Sequence, residues 1–428
     1  MRQTSHSKTA LVLAGGGLTG AVYEIGALRA IDDILVDRTV NDFDIYVGTS
    51  AGSLVASLLA NGLSPDTMLQ GLAGQRADIP AIEREHLFHL NPADLLRWAA
   101  RVPPKVFGAW SHYLRHRGDM SLFDLVLQMA EALPSGLYDN VTLERYVRQV
   151  IRSHGISNHF DQLSRDLFII ATDLDTSERA IFSRDFPLRV PISKAVAAST
   201  AIPVFYKPVR VGDRDYVDGG LRGNASLDVA VEHGAQLVVC INPMVPYDNR
   251  DRASIPFLGR DGGYLSDKGF SAIANQVGRI TTHAGLHYHI KQLRKTRPEV
   301  DIILIEPART DYQMVFYNIM RYSARLIVAR HGFETVSLRL AEDFEYFREM
   351  LARHHIAINK RLVLEEMDRI RQADYDPAVI RQVLEARSAA YRRSRDGRRS
   401  PAHPIGQLSR SLKELERALD EFTPRTTA

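Results

Sequence analysis

The chain has 428 residues, of which 45% are hydrophobic and 25% charged, with 54 basic side chains against 51 acidic ones and a formal net charge of +3. This is the composition of an ordinary globular chain, and it excludes a wholly disordered, collagenous or membrane-embedded one. So small a charge surplus sets up no field that calls for nucleic acid as a partner.

Residues Thr9 to Ala14 read as a short buried strand. Glycines interrupt this apolar stretch at once, so it does not read as a secretory signal. No apolar run elsewhere approaches the ~18 residues of a membrane span, and the expected location is the cytoplasm. The loop Gly15-Gly16-Gly17-Leu18-Thr19-Gly20 follows, then a helix over Ala21 to Leu35 with Val22, Ile25, Leu28 and Ile31 at helical spacing. A second strand is predicted at Phe43 to Val47. Gly48-Thr49-Ser50-Ala51-Gly52 turns from it into a helix at Ser53 to Ala60.

Residues 76 to 136 differ in character. They hold both tryptophans, Trp98 and Trp110, and a break at Pro103-Pro104, and read as a mostly helical insertion. Beyond it, strands are predicted at Asp166 to Ala171, Asp215 to Asp218, Leu237 to Asn242 and Asp301 to Glu306. Helices are predicted at Ile192 to Ser199, Ala225 to His233 and from Tyr312 into the Arg330 region. The only cysteine, Cys240, lies within the apolar run Leu237 to Ile241 and reads as buried filler in a reducing compartment. From about Glu334 the pattern is helical and charged, and Arg392 to Arg399 carries five arginines against Asp396. Alternation of strand, loop and helix predicts an α/β fold with a mostly parallel central sheet flanked by helices. The expected organisation is a catalytic domain over 1–335, containing the insertion, and a helical C-terminal region over 336–428 with a basic tail.

Two glycine motifs compete for the function. Gly15-x-Gly17-x-x-Gly20 satisfies a dinucleotide-binding pattern, but that reading needs an acidic residue at the end of the second strand. There the chain has Gly48-x-Ser50-x-Gly52, a nucleophile elbow in the strand-to-helix setting such an elbow requires. The turn lifts the Ser50 oxygen off the sheet, and the Ala51 amide and helix N-terminus face a developing oxyanion. Amides of Gly16 and Gly17 supply the other half. Asp218 ends a strand just before Gly219-Gly220, a good place for a base. Its intrinsic pKa of about 3.9 would have to rise by burial for work near neutrality. His283 and His287 are four apart, with His289 nearby; they lack a partner motif for a metal and read as a solvated helix face.

These residues resemble the patatin-like phospholipase family. Gly15 to Gly20 resembles its oxyanion loop and Gly48 to Gly52 its elbow. Ala198-Ser199-Thr200-Ala201-Ile202-Pro203 resembles its Ala-Ser-x-Ala-x-Pro segment, and Asp218-Gly219 its Asp-Gly motif. The resemblance implies a patatin-like three-layer fold and a Ser50–Asp218 dyad without a catalytic histidine. It implies an oxyanion hole from Gly15, Gly16, Gly17 and Ala51. Its implied reaction is acyl-ester hydrolysis of phospholipid or another acyl lipid through an acyl-enzyme, with no metal and no cofactor. Ser199 and Pro203 are then structural. Thr19 stands where the family usually has Arg or Lys, which leaves a catalytically weak lipid-binding protein as one alternative; a lipid transacylase and a nucleotide-binding enzyme are the others. Docking at a lipid interface is expected, peripheral to the membrane. Trp98, Phe107 and Trp110 would form a lid or contact, and Arg392 to Arg399 would attract anionic lipid.

Overall fold

The computed structural model describes residues 7–72, 84–87, 89, 111, 115, 135–154, 156–252, 262–316 and 325–385. Most of the insertion at 76–136 lies outside these, as do Trp98, Phe107, Trp110 and Arg392 to Arg399. Among the described residues the strands are β1 (Thr9–Leu13), β2 (Ile45–Thr49), β3 (Gly136–Tyr138), β4 (Asp166–Asp173), β5 (Arg179–Phe182), β6 (Val204–Tyr206), β7 (Val209–Val211), β8 (Arg214–Asp218), β9 (Leu237–Ile241) and β10 (Asp301–Ile305).

Five of them run parallel in the order β10-β9-β1-β2-β4. Strands β1, β2 and β9 are buried along their whole length. Continuous apolar runs such as Ala10 to Leu13 are what a parallel strand covered on both faces requires. Side chains alternate between two cores. Leu11, Leu13 and Tyr46 join one apolar cluster, and Ala10, Val12, Ile45 and Val47 join the other.

The first cluster is closed by α1 (Gly17–Ile34), α2 (Ala51–Ala60), α3 (Pro65–Leu72), α4 (Val141–Ser153) and α5 (Ile192–Ser199). The second is closed by α6 (Leu227–Glu232) and by α7 (Phe270–Thr296), the latter through Leu286, Ile290 and Leu293. Helix, sheet and helix therefore form three layers. Cys240 is fully buried in the second core, and burial pushes its thiol well up.

The C-terminal helices are α8 (Arg325–Glu342), α9 (Phe344–Ala352), α10 (Arg361–Gln372) and α11 (Pro377–Glu385). They share the first core with α1 through Phe333, Met367, Ile370 and Val383. The close approach of α8 to α1 needs glycine, since a Cβ on Gly26 would sit 2.1 Å from the Ala329 carbonyl oxygen. Arg29 of α1 is fully buried and pairs with Asp33 one turn on. It also reaches Glu366 of α10 and the Val383 carbonyl, each at 3.3 Å. The boundary expected at 335 falls inside α8.

The predicted core strands recur within one or two residues. The helix predicted from Tyr312 corresponds to Tyr312–Phe316 and α8, with 317–324 outside the described residues. Short strands β3, β5, β6 and β7 were not predicted, and of the 27-residue α7 only the face bearing His283 and His287 was read as helical.

Candidate active site

The site lies at the carboxyl ends of the parallel strands, where an open α/β sheet commonly binds its ligands. β2 pairs with β4 up to Thr49 opposite Ile170, and there the chain turns sharply into α2. Ser50 sits on the turn at φ +53°, ψ −125°, a left-handed φ that a non-glycine residue adopts only under constraint. The constraint is visible. A Cβ on Gly52 would lie 2.4 Å from the Leu13 carbonyl oxygen, so the turn presses directly on β1. The Ser50 amide donates to Ser199 Oγ at 2.8 Å, and Ser199 Oγ donates to the Ile170 carbonyl at 2.5 Å. Ser199, at the end of α5, thus ties the elbow to β4.

β8 runs antiparallel to β4, with Asp218 opposite Ala171. Ser50 Oγ donates to Asp218 Oδ2 at 2.5 Å. The other carboxylate oxygen accepts from the Gly220 amide at 2.8 Å, and the Asp218 amide donates to the Ala201 carbonyl. The Asp218 carboxyl is buried. Burial pushes its pKa up to about 6, against the lowering effect of the bonds from Ser50 and Gly220. The sequence called for such a rise. Among the described residues its hydrogen-bond partners are Ser50 and Gly220, and neither is a histidine.

The glycine loop lies beside the elbow, and a Cβ on Gly15 would come within 3.2 Å of Ser50 Cβ. The three glycines and one alanine expected to hold an oxyanion, Gly15, Gly16, Gly17 and Ala51, do not all offer a donor. The Gly15 amide donates to the Asn224 carbonyl at 3.1 Å, so Gly15 anchors the loop and has no donor to offer. The amides of Gly16, Gly17 and Ala51 have no backbone acceptor among the described residues. Asn224 holds the loop from its other side, donating through Nδ2 to the Gly15 carbonyl at 3.2 Å and to Asn242 Oδ1 at 3.0 Å. Neither asparagine was singled out from sequence. Both follow a glycine turn or a strand end, which is the one local signal they carry. Thr19 is buried in the first turn of α1.

Beside Ser50 opens a small cleft lined by Leu18, Ala21, Leu54, Leu143, Ile202 and Tyr206. Its walls are almost wholly apolar, suited to a hydrocarbon chain.

The fold and the elbow put the chain among α/β proteins that carry a serine on a strand-to-helix turn. Within that class it belongs to the patatin-like phospholipase family, whose profile matches residues 11–231, about half of the chain. One relative is "Probable lipid hydrolase 463L" of Invertebrate iridescent virus 6, 21% identical over 223 residues, covering 52% of this chain and 63% of the relative. Another is "Uncharacterized protein YqhO" of Bacillus subtilis (strain 168), 25% identical over 227 residues, covering 50% and 63%. The chain thus spans under two thirds of the length of these relatives. Among solved structures, VipD from Legionella pneumophila aligns with a TM-score of 0.34 at 15% identity, covering 79% of this chain and 67% of that one.

Proposed function

We propose that the protein is a lipid acyl hydrolase, of phospholipase A type, working through a Ser50–Asp218 dyad. The observation that carries this reading is the 2.5 Å contact from Ser50 Oγ to a buried carboxylate, at the mouth of an apolar cleft. Ser50 Oγ attacks the ester carbonyl carbon while its proton passes to Asp218 Oδ2. The carbonyl oxygen becomes an oxyanion, and the amides of Gly16, Gly17 and Ala51 are the donors for it. Collapse breaks the bond to the leaving alcohol, whose oxygen takes the proton from Asp218. Water then gives a proton to Asp218 and attacks the acyl-enzyme. Ser50 leaves with that proton, and the free fatty acid is released.

The pKa of about 6 suits this role, because the carboxylate is ionised at neutral pH yet basic enough to accept a proton. No metal or cofactor enters these steps. In this reading the catalytic unit is the part of the chain before α8, and α8 to α11 brace α1. The substrate is a phospholipid or other acyl lipid, met at a lipid surface. Leu137 of β3, Val204 and Phe205 of β6, and Leu221 after the dyad aspartate are exposed apolar side chains, with Val204 71% exposed. Val204 and Phe205 lie between cleft residues Ile202 and Tyr206 in sequence, and β3 pairs with β6 through Tyr138 and Tyr206; these apolar side chains support peripheral contact with lipid. Among the described residues no helix is long and apolar enough to cross a membrane.

Incubating a panel of phospholipids and neutral acyl lipids with wild type and Ser50→Ala, followed by mass spectrometry, tests the reading. Free fatty acid released by wild type alone is expected. Acyl groups moved to an added alcohol with none reaching water would make the protein a transacylase. No change in any lipid would leave it a binding protein.

A further inference from the structure

The ends of β1, β2, β9 and β10 lie side by side, and each carries a polar device: the glycine loop, Ser50, Asn242 and Glu306. The first two belong to the site above. The last faces α7, where His283 and His287 are one turn apart with ring centroids 4.1 Å from each other. His287 Nε2 is 3.1 Å from Glu306 Oε2, and His283 Nε2 is 3.6 Å from the same oxygen. One ligand atom from each of the three residues falls within 4.8 Å of the others.

We propose that His283, His287 and Glu306 form a binding site for a divalent transition-metal cation of the zinc, cobalt or nickel kind. Metal–ligand bonds of about 2.0–2.2 Å in a tetrahedral site put ligand atoms about 3.4 Å apart. The two distances to Glu306 Oε2 bracket that spacing. Two imidazoles and one carboxylate suit these cations better than calcium or magnesium, which prefer oxygen alone. Glu306 is held ready by an outer partner, since Asn242 Nδ2 donates to its Oε1 at 2.7 Å and leaves Oε2 for the histidines. The His287 side chain is 47% exposed, so a fourth position is open to water. Histidines four apart carried no metal signal in sequence because their third partner, Glu306, comes nineteen residues later on a different element.

The site does not touch the dyad. It is linked to the glycine loop by three hydrogen bonds, from Asn242 to Glu306, from Asn224 to Asn242 and from Asn224 to the Gly15 carbonyl. A bound cation fixes Glu306, and through the two asparagines it braces the loop that bears the Gly16 and Gly17 amides. The proposal is independent of the hydrolase reading, and its test does not use activity.

Full-length protein stripped with EDTA and dialysed is titrated with zinc chloride by calorimetry and with cobalt(II) chloride by absorption. Wild type should bind one zinc per chain, and cobalt should give the visible bands of a low-coordinate site. Loss of an outer partner typically costs 10- to 100-fold in metal affinity. Loss of a direct ligand in His287→Ala or Glu306→Gln should therefore cost at least about tenfold. Glu306→Gln keeps the acceptor for Asn242. His289→Ala, whose ring lies near Asp228 at 3.5 Å, should bind as wild type does. Thermal melts check the fold of each variant, and if Glu306→Gln fails to fold, the half-exposed His287→Ala decides. No zinc bound by wild type, or wild-type affinity in His287→Ala, overturns the proposal.

Discussion

Thr49 and Asp218 end their strands on consecutive rungs of one edge of β4, Thr49 opposite Ile170 and Asp218 opposite Ala171. β5 occupies the other edge at these rungs. One strand arrives parallel and the other antiparallel, so they meet head to head. The residue after Thr49 is Ser50, which brings its hydroxyl against the Asp218 carboxylate. Two segments 168 residues apart thus converge through the register of a single strand.

This convergence predicts a pH dependence. Asp218 can accept a proton only when ionised, and its pKa is raised from 3.8 to about 6. On a soluble ester, kcat/KM should climb through pH about 6 and level off above it. Stability should move the opposite way. Between those two values the native carboxyl keeps a proton that the unfolded chain has released, so stability falls as pH rises across the window. The accumulated penalty is about 3 kcal/mol above it. Asp218→Asn removes the penalty and should gain on wild type between pH 4 and pH 8 in urea melts. A wild type that instead gains on the variant over that range would contradict the burial argument.

Ser199→Ala removes both the acceptor of the Ser50 amide and the donor to Ile170. The loss should cost about 1–3 kcal/mol of stability. Because the elbow is held at a strained φ, kcat should drop about tenfold with KM little changed, the split expected when positioning and not binding is lost. Wild-type kcat would mean that the elbow keeps its shape without this tie.

The apolar cleft makes a prediction on chain length. Leu54→Trp adds bulk to its wall. Hydrolysis of a decanoate ester should fall about tenfold relative to an acetate ester, a pocket-shape effect of ordinary size. Parallel losses on both esters would place the acyl chain elsewhere.

Arg29→Met tests the brace between α1 and the C-terminal helices. The buried Asp33 carboxylate would lose its cation, as would Glu366. Removing one partner of a buried pair costs about 3–5 kcal/mol. Glu366→Gln, at the more open end of the network, should cost less. Urea denaturation of both variants measures this, and an Arg29→Met midpoint equal to wild type would show that apolar packing alone holds these helices.

Much of the site was legible because its motifs are contiguous. The glycine loop, the elbow and Asp218-Gly219 each declare their turn chemistry within six residues, and the apolar runs beside them declare buried strands. What stayed hidden is non-local or weakly patterned. The ties from Ser199 to Ile170 and from Asn224 to Gly15 join residues with no shared periodicity. Gly15 looked like a donor because sequence does not show that its amide is already taken by Asn224. β5 and β7 have four and three residues, too few for an alternation to register. α7 carries Phe270, Ile273, Val277 and Ile280 on exposed positions, so its apolar residues do not mark one buried face.

The most direct test of the central claim is the turnover number of Asp218→Asn on a soluble ester at pH 8, with circular dichroism confirming the fold. Loss of a general base typically costs 10²- to 10⁴-fold, so a fall of at least about a hundredfold is expected. Turnover equal to wild type would show that Ser50 is activated by some other group, or that it is not the nucleophile.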